Sequence, residues 1–116
     1  MEVRRISNLI SFRSEKMLKA NLFESERMFC DLYCFEPGQE QALHDHDGND
    51  KLYYVLQGSG LFTVGEETRP LEEGDATWAP SGEPHGVKNH SADRLVCLVF
   101  MAPHPQAEKF RSIPKS

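Results

Sequence analysis

Two stretches decide the fold that this sequence predicts: GQEQALHDHDGNDKLYYVLQG at residues 38–58 and GDATWAPSGEPHGVKN at residues 74–89. The first carries His44 and His46 two positions apart, directly before an apolar run. Because alternate side chains of a strand point to the same face, an extended segment here brings both imidazoles to one side. The second stretch supplies His85 after a short strand-like segment and a turn rich in proline and glycine. Three converging imidazoles form a donor set typical of a metal centre.

The size and charge of the chain exclude several classes of protein. Its 116 residues predict one domain, large enough for a modest core. The formal charge of −5, with basic residues concentrated only near the two ends, argues against a nucleic-acid partner. No stretch approaches the ~18 apolar residues of a membrane span, and no long apolar segment follows the N-terminal basic residues. We therefore expect a cytoplasmic protein with no signal peptide and no membrane partner.

Short segments of strand character, separated by glycine and proline turns, make up most of the chain. Residues 1–13 indicate a short strand and a loop. Residues 16–23 are compatible with a helix or with a strand that turns back into residues 27–36, and the alternation of aromatic and aliphatic side chains in the latter favours the hairpin. Residues 94–101 are apolar at both parities, which predicts a strand buried on both faces. With no strong helix, this pattern predicts an all-β sandwich or barrel.

Three cysteines do not form a disulfide pattern. Cys30 and Cys34 would be roughly 13 Å apart along one strand, well beyond bridging distance. We expect these two and Cys97 to be small buried apolar residues in a reducing cytoplasm. The alternative is that Cys97 is a reactive thiol near the site.

The two stretches resemble the two sequence motifs of the cupin superfamily. Nine positions that the motifs specify are met at the correct spacing: Gly38, His44, His46, Gly58, Gly74, Pro80, Gly82, His85 and Asn89. The resemblance implies a single-domain jelly-roll β-barrel, often dimeric, with a metal in the barrel mouth held by three histidines and one glutamate. It divides the chain into N-terminal strands at residues 1–37, a core with both motifs at residues 38–101 and a C-terminal tail at residues 102–116, all in one domain.

Lys51 occupies the position at which the family has its glutamate. A protonated amine has no lone pair for a metal and repels a cation by about 4 kcal/mol for unit charges about 4 Å apart at an effective dielectric constant near 20. Lys51 can turn away to pair with a nearby aspartate, leaving a three-histidine site. Alternatively, Asp50 replaces the glutamate by a one-residue slip, which strand parity opposes. In the third arrangement no metal binds, and Lys51 with the histidines forms an anion pocket or acts as a base or Schiff-base amine.

We expect the first arrangement, in which one divalent metal ion per chain, Fe, Zn, Ni or Mn, is held by His44, His46 and His85. Tyr53 has the parity of Lys51, so it points into the barrel if Lys51 does, as a hydrogen-bond donor to a ligand or as part of the core. Trp78 is a candidate for lining the pocket, for a contact between protomers or for the core.

Two functions follow from this reading of the sequence. The first is a small metal-dependent enzyme, of dioxygenase or isomerase type, that acts on a small anionic or chelating molecule. The second is a non-catalytic cupin that binds or senses a small ligand, with Lys51 and the histidines forming an anion pocket. The expected partners are a small molecule and a second copy of the chain in a homodimer.

Overall fold

The structure, a computed structural model, describes residues 1–45 and 47–105. A 3₁₀ turn at Ile6–Asn8 precedes the strands. In the described part of the chain the strands are β1 (Leu18–Glu24), β2 (Phe29–Phe35), β3 (Glu40–His44), β4 (Asp50–Gln57), β5 (Ser59–Val64), β6 (Glu67–Glu72), β7 (Ala76–Ala79), β8 (His85–Lys88) and β9 (Leu95–Ala102). The all-β prediction is confirmed. No helix among these residues is long and apolar enough to cross a bilayer.

The strands form two antiparallel sheets with the core between them. One sheet has the order β1-β2-β9-β4-β7 and the other the order β3-β8-β5-β6. Both sheets contribute to the inner core, whose buried members are Met17, Tyr33, Phe35, Tyr53, Val55, Phe62, Val87, Leu95, Cys97 and Val99. This arrangement confirms the predicted jelly-roll barrel, and it places the inward-facing side chains of β2, β3, β4 and β8 around one interior space.

The alternation of β4 shows how the sequence selects this interior. Lys51, Tyr53 and Val55 are buried, whereas Leu52 and Tyr54 between them face outward, as the two-residue repeat of a strand requires. A tight turn follows at Gly58, which has a φ of 81°. An added Cβ at this glycine would collide with the carbonyl oxygen of Arg94, so the turn into β5 accepts only glycine.

The N-terminal segment differs from its prediction. The β1–β2 hairpin is confirmed by the antiparallel pairing of the two strands, but the strand predicted within residues 1–13 is wrong, because this segment has only the 3₁₀ turn. Its apolar side chains pack on the outer face of the five-stranded sheet, the face that points away from the other sheet. Ile6, Leu9, Ile10 and Phe12 cover a cluster of Leu22, Leu32, Cys34 and Val96 there. These residues cover the sheet instead of pairing with it, which explains their lack of a regular period.

All three cysteines are free thiols, and they differ in how deeply they are buried. Cys34 and Cys97 are buried and Cys30 is partly buried. Cys97 belongs to the inner core, and burial raises the pKa of its thiol, with Cys34 adding to the effect. Because the thiolate is the reactive form, this environment favours the apolar role over the reactive one.

Candidate functional site

A pair of histidines faces across the two strands of the smaller sheet. His44 ends β3 and His85 begins β8, their Cα atoms are register partners, and their ring centroids are 4.3 Å apart. Nδ1 of His44 lies 2.8 Å from the carbonyl oxygen of Ala42, and Nδ1 of His85 lies 3.0 Å from that of Glu83. Since a carbonyl oxygen only accepts hydrogen bonds, each Nδ1 is the donor, and in the neutral ring the lone pair is then on Nε2.

This tautomer is the one in which a histidine ligates a metal through Nε2. Metal-bound histidines commonly donate the other ring N–H to a backbone carbonyl, which fixes the orientation of the ring. The donor chemistry of His44 and His85 therefore fits a metal ion. Across residues 1–45 and 47–105, no group of three His, Cys, Asp or Glu side chains is arranged to hold one. His46 lies outside the described residues and β3 ends at His44, so the three-histidine site stays a prediction.

Lys51 lies inside the barrel. Only 2% of the residue is exposed, and its Nζ lies 3.5 Å from Oε1 of Gln41. The same atom is 5.2 Å from the ring centroid of Tyr33 and 5.3 Å from that of Tyr53. The pKa of Lys51 is lowered to about 7, chiefly by burial and further by repulsion from Lys19, while Asp31 partly opposes these effects. The amine therefore changes its protonation state near neutral pH.

This placement tests two of the arrangements expected for Lys51, an outward turn toward an aspartate and a one-residue slip to Asp50. No described carboxylate forms an ion pair with Lys51, so the expectation that it turns away to pair with an aspartate is wrong. Asp50 is exposed, and its Oδ1 accepts a hydrogen bond of 3.0 Å from the backbone N–H of Ser81. The one-residue slip therefore does not occur. A lysine that turned outward would lose less hydration. The strand alternation of β4 nevertheless directs the Lys51 side chain inward.

Gln41 connects the residues of this interior and was not identified from the sequence. Tyr53 Oη donates to Gln41 Oε1 over 3.0 Å, and Gln41 Nε2 donates to Tyr33 Oη over 3.3 Å. Strict alternation along β3 would put Gln41 and His44, three positions apart, on opposite faces. A register shift between them in the β3–β8 ladder brings both toward the interior. No local residue pattern marks this shift in β3. In β2, by contrast, the alternation of residues along the strand already puts Tyr33 and Phe35 on the same face.

The two tyrosines of the network are hydrogen-bond donors over the whole physiological range. Burial raises the pKa of Tyr33 to about 12 and raises that of Tyr53 as well. The Tyr53 ring centroid lies 6.3 Å from that of His85 and 5.3 Å from Lys51 Nζ, so the Tyr53 ring is close to both. The interior thus combines neutral donors, imidazoles and one amine.

Trp78 lies on the other side of the sheet. It is 55% exposed and its register partner in β4 is Leu52, which faces outward. The structure therefore does not bring Trp78 to the interior with Lys51 and Tyr53. Four neighbouring exposed side chains of β4, β7 and β9 form an apolar surface that we call the outer patch: Leu52, Tyr54, Trp78 and Phe100.

Comparison with known proteins gives one family. The family model described as "Cupin domain" matches residues 31–101. An oxalate-binding protein of Thermotoga maritima is 33% identical over 90 residues, covering 73% of this chain and 74% of the relative. The crystal structure of the protein TT1209 from Thermus thermophilus is 48% identical with a TM-score of 0.86, covering 89% of this chain and 98% of that one. An RmlC-like cupin protein from Desulfovibrio desulfuricans is 28% identical with a TM-score of 0.78, covering 89% and 97%. The barrel and the spacing of both motifs thus have one explanation: the chain belongs to the cupin domain family.

Proposed function

We propose that this protein binds a small carboxylate inside the barrel, between the histidine pair and Lys51. The observation that carries the proposal is the burial of the Lys51 amine with no carboxylate in ion-pair contact among the described residues; Asp31 acts on it only at longer range. A buried cation is stabilised mainly by a paired anion, and burial of an unpaired one is costly. A ligand carboxylate would supply that missing negative charge.

We propose that His44, His46 and His85 hold a divalent metal ion beside this ligand site. The Nδ1 hydrogen bonds of His44 and His85 support this, because they select the ligating tautomer. When bound, the metal would act as a Lewis acid that attracts carboxylate oxygens. A Lys51 whose pKa is about 7 repels such an ion less than an ordinary lysine does, because part of its population is neutral.

A short dicarboxylate is the ligand that we propose to test first. The Thermotoga maritima relative, at 33% identity, is named as an oxalate-binding protein. Tyr33 keeps its proton and only accepts from Gln41, so it adds a neutral donor suited to a carboxylate oxygen. Binding is proposed ahead of catalysis because the donors and positive charge of the described interior account for a bound carboxylate without a reaction. Dioxygenase or isomerase activity therefore stays a prediction from the resemblance.

The test is oxalate binding by isothermal titration calorimetry, with metal content measured by inductively coupled plasma mass spectrometry. The full chain is stripped with a chelator and reloaded separately with iron, zinc, nickel or manganese. We expect about one metal ion per chain and metal-dependent oxalate binding. His46→Ala should remove the metal, and Lys51→Met should weaken oxalate binding by at least about tenfold, equivalent to about 1.4 kcal/mol.

Lys88→Met is the matched control, because Lys88 lies exposed at the end of β8. Its affinity for oxalate should equal that of the wild type. Metal-loaded wild-type protein that gives no heat with oxalate, other short dicarboxylates or monocarboxylates would overturn the proposal. Unchanged affinity in Lys51→Met would remove Lys51 from the site.

A further inference from the structure

The amino group of Lys51 has an environment that stabilises the charged form poorly. Its hydrogen-bond partner is the amide oxygen of Gln41 at 3.5 Å, and the ring centroids of Tyr33 and Tyr53 lie 5.2 and 5.3 Å from Nζ. An amide oxygen accepts from a neutral amine as well as from an ammonium. Ring faces attract a cation, but less strongly than a formal negative charge does. The pocket therefore leaves a substantial fraction of the amine unprotonated at neutral pH, in line with the lowered pKa of Lys51.

The geometry points to a covalent activity of this amine: Lys51 forms a reversible imine with a small 2-oxo acid or aldehydic acid that enters the barrel. A neutral amine is a nucleophile, and desolvation in an apolar pocket is one way in which proteins produce reactive lysines. The inference rests on the proposed function in one respect, that the interior accepts a small carboxylate. It requires no metal ion.

The reaction is a condensation that needs no oxidant or reductant. The Nζ lone pair attacks the carbonyl carbon, a C–N bond forms as the C=O π bond breaks, and one proton passes from the nitrogen to the oxygen, which becomes a hydroxyl. The nitrogen then loses its remaining exchangeable hydrogen as the hydroxyl leaves, so that one water is released and a C=N bond forms. Hydrolysis reverses these steps and returns the free lysine.

The Gln41 network supplies a proton donor for the oxygen atom in this condensation. Tyr33 Oη accepts a hydrogen bond from Gln41 Nε2, so its own proton remains available for donation. Tyr53 Oη instead donates to Gln41 Oε1, the same oxygen that lies beside Lys51 Nζ. Gln41 thereby holds the amine and both phenols together. We assign Tyr33 as the donor and Gln41 as a positioning residue.

The charged and titratable groups around Lys51 are few in the described structure. Its register partners on β7 and β9, Ala79 and Met101, do not titrate. Asp31 is partly buried on β2, and Lys19 on β1 lies with its Nζ 5.1 Å from the Tyr33 ring centroid. These two groups act on Lys51 in opposite directions. The phenols of Tyr33 and Tyr53 also face the amine, and both stay protonated near neutral pH because burial raises their pKa.

The experiment is borohydride trapping of the full chain, treated with a chelator, with glyoxylate as the probe. Intact mass counts the reduced adducts and peptide mapping locates them. We expect a first adduct on Lys51 that forms at pH 7 at least about tenfold faster than on Lys88, because an ordinary lysine with a pKa near 10.4 is almost wholly protonated there. Lys51→Met should lose the fast adduct, and Lys88→Met should keep it. Lys51→Arg provides a second variant that retains a long polar side chain but cannot form an imine.

The site of the adduct in the wild-type protein decides the question even if a variant folds poorly. Labelling spread over exposed lysines, or a fast adduct elsewhere than on Lys51, would overturn the inference. Oxalate binding to metal-loaded protein without an adduct on Lys51 would also overturn it and leave the proposed function standing. A fast Lys51 adduct in a protein that binds no oxalate or other dicarboxylate would support the imine and contradict the proposed function.

Discussion

Replacing Lys51 by methionine tests whether the barrel interior holds an amine that is costly to charge. Methionine has a similar length and no charge, so it removes the ammonium with little loss of packing. In the folded protein the pKa of Lys51 falls from the ordinary value of 10.5 to about 7, chiefly through burial. At about 1.4 kcal/mol for each tenfold change in proton affinity, this difference amounts to about 5 kcal/mol of destabilisation when the folded protein must carry the charge.

The sign of the pH dependence follows from proton binding in the two states. Between pH 7 and 10.5 the unfolded chain keeps the Lys51 proton and the folded chain releases it. The unfolded state thus binds more protons, and the free energy of unfolding rises with pH in this window. Below pH 7 both states are protonated and the full cost is present. Lys51→Met removes this contribution, so its stability advantage over the wild type should shrink by about 3 kcal/mol from pH 6 to pH 9.

The assay is urea unfolding followed by far-ultraviolet circular dichroism at pH 6, 7, 8 and 9, in the presence of a chelator. Other titrating groups are common to both proteins, so they cancel in the difference between wild type and variant. Lys88→Met serves as the control for loss of an exposed lysine, and its difference from the wild type should not change with pH. Parallel stability curves for wild type and Lys51→Met would refute the reasoning, because they would mean that Lys51 keeps an ordinary pKa in the folded protein.

Three further predictions follow from the same structure. Gln41→Leu should lower the free energy of unfolding by about 2–4 kcal/mol, because it leaves the buried donors of Tyr53 and Lys51 without their amide acceptor. Urea unfolding measures this change, and an unchanged free energy of unfolding would contradict the network. The outer patch should mediate a homodimer, so Trp78→Lys should convert the dimer to a monomer in size-exclusion chromatography with light scattering. A wild-type protein that is already monomeric would exclude this interface. Zinc affinity at the three-histidine site should fall as pH drops through about 6.5, since ligating imidazoles must be neutral. A competition titration measures this affinity, and a value that is constant from about pH 5 to 8 would rule the site out.

Local patterns in the sequence were sufficient for the fold and for part of the site. The two-residue alternation of β4 and the turns at its ends depend on neighbouring residues only, so the strand and its inward parity could be predicted. The spacing of the two motifs likewise predicted that His85 comes near His44, and the two are register partners in the structure. The first motif also showed that Lys51 stands where the family has a glutamate, which needed no knowledge of its contacts.

Contacts between distant parts of the chain decided the remainder. Lys51 could be assigned to a face by parity, but only the packing of β2, β3 and β4 shows that it meets two tyrosine rings and an amide instead of an aspartate. The inward position of Gln41 depends on an irregularity in the β3–β8 ladder, which has no local signature. The pKa of Lys51 arises from desolvation by residues far apart in the sequence. Strand period and turn geometry are local properties that the sequence determines by itself, whereas burial and its electrostatic cost exist only when the sheets have closed around the side chain.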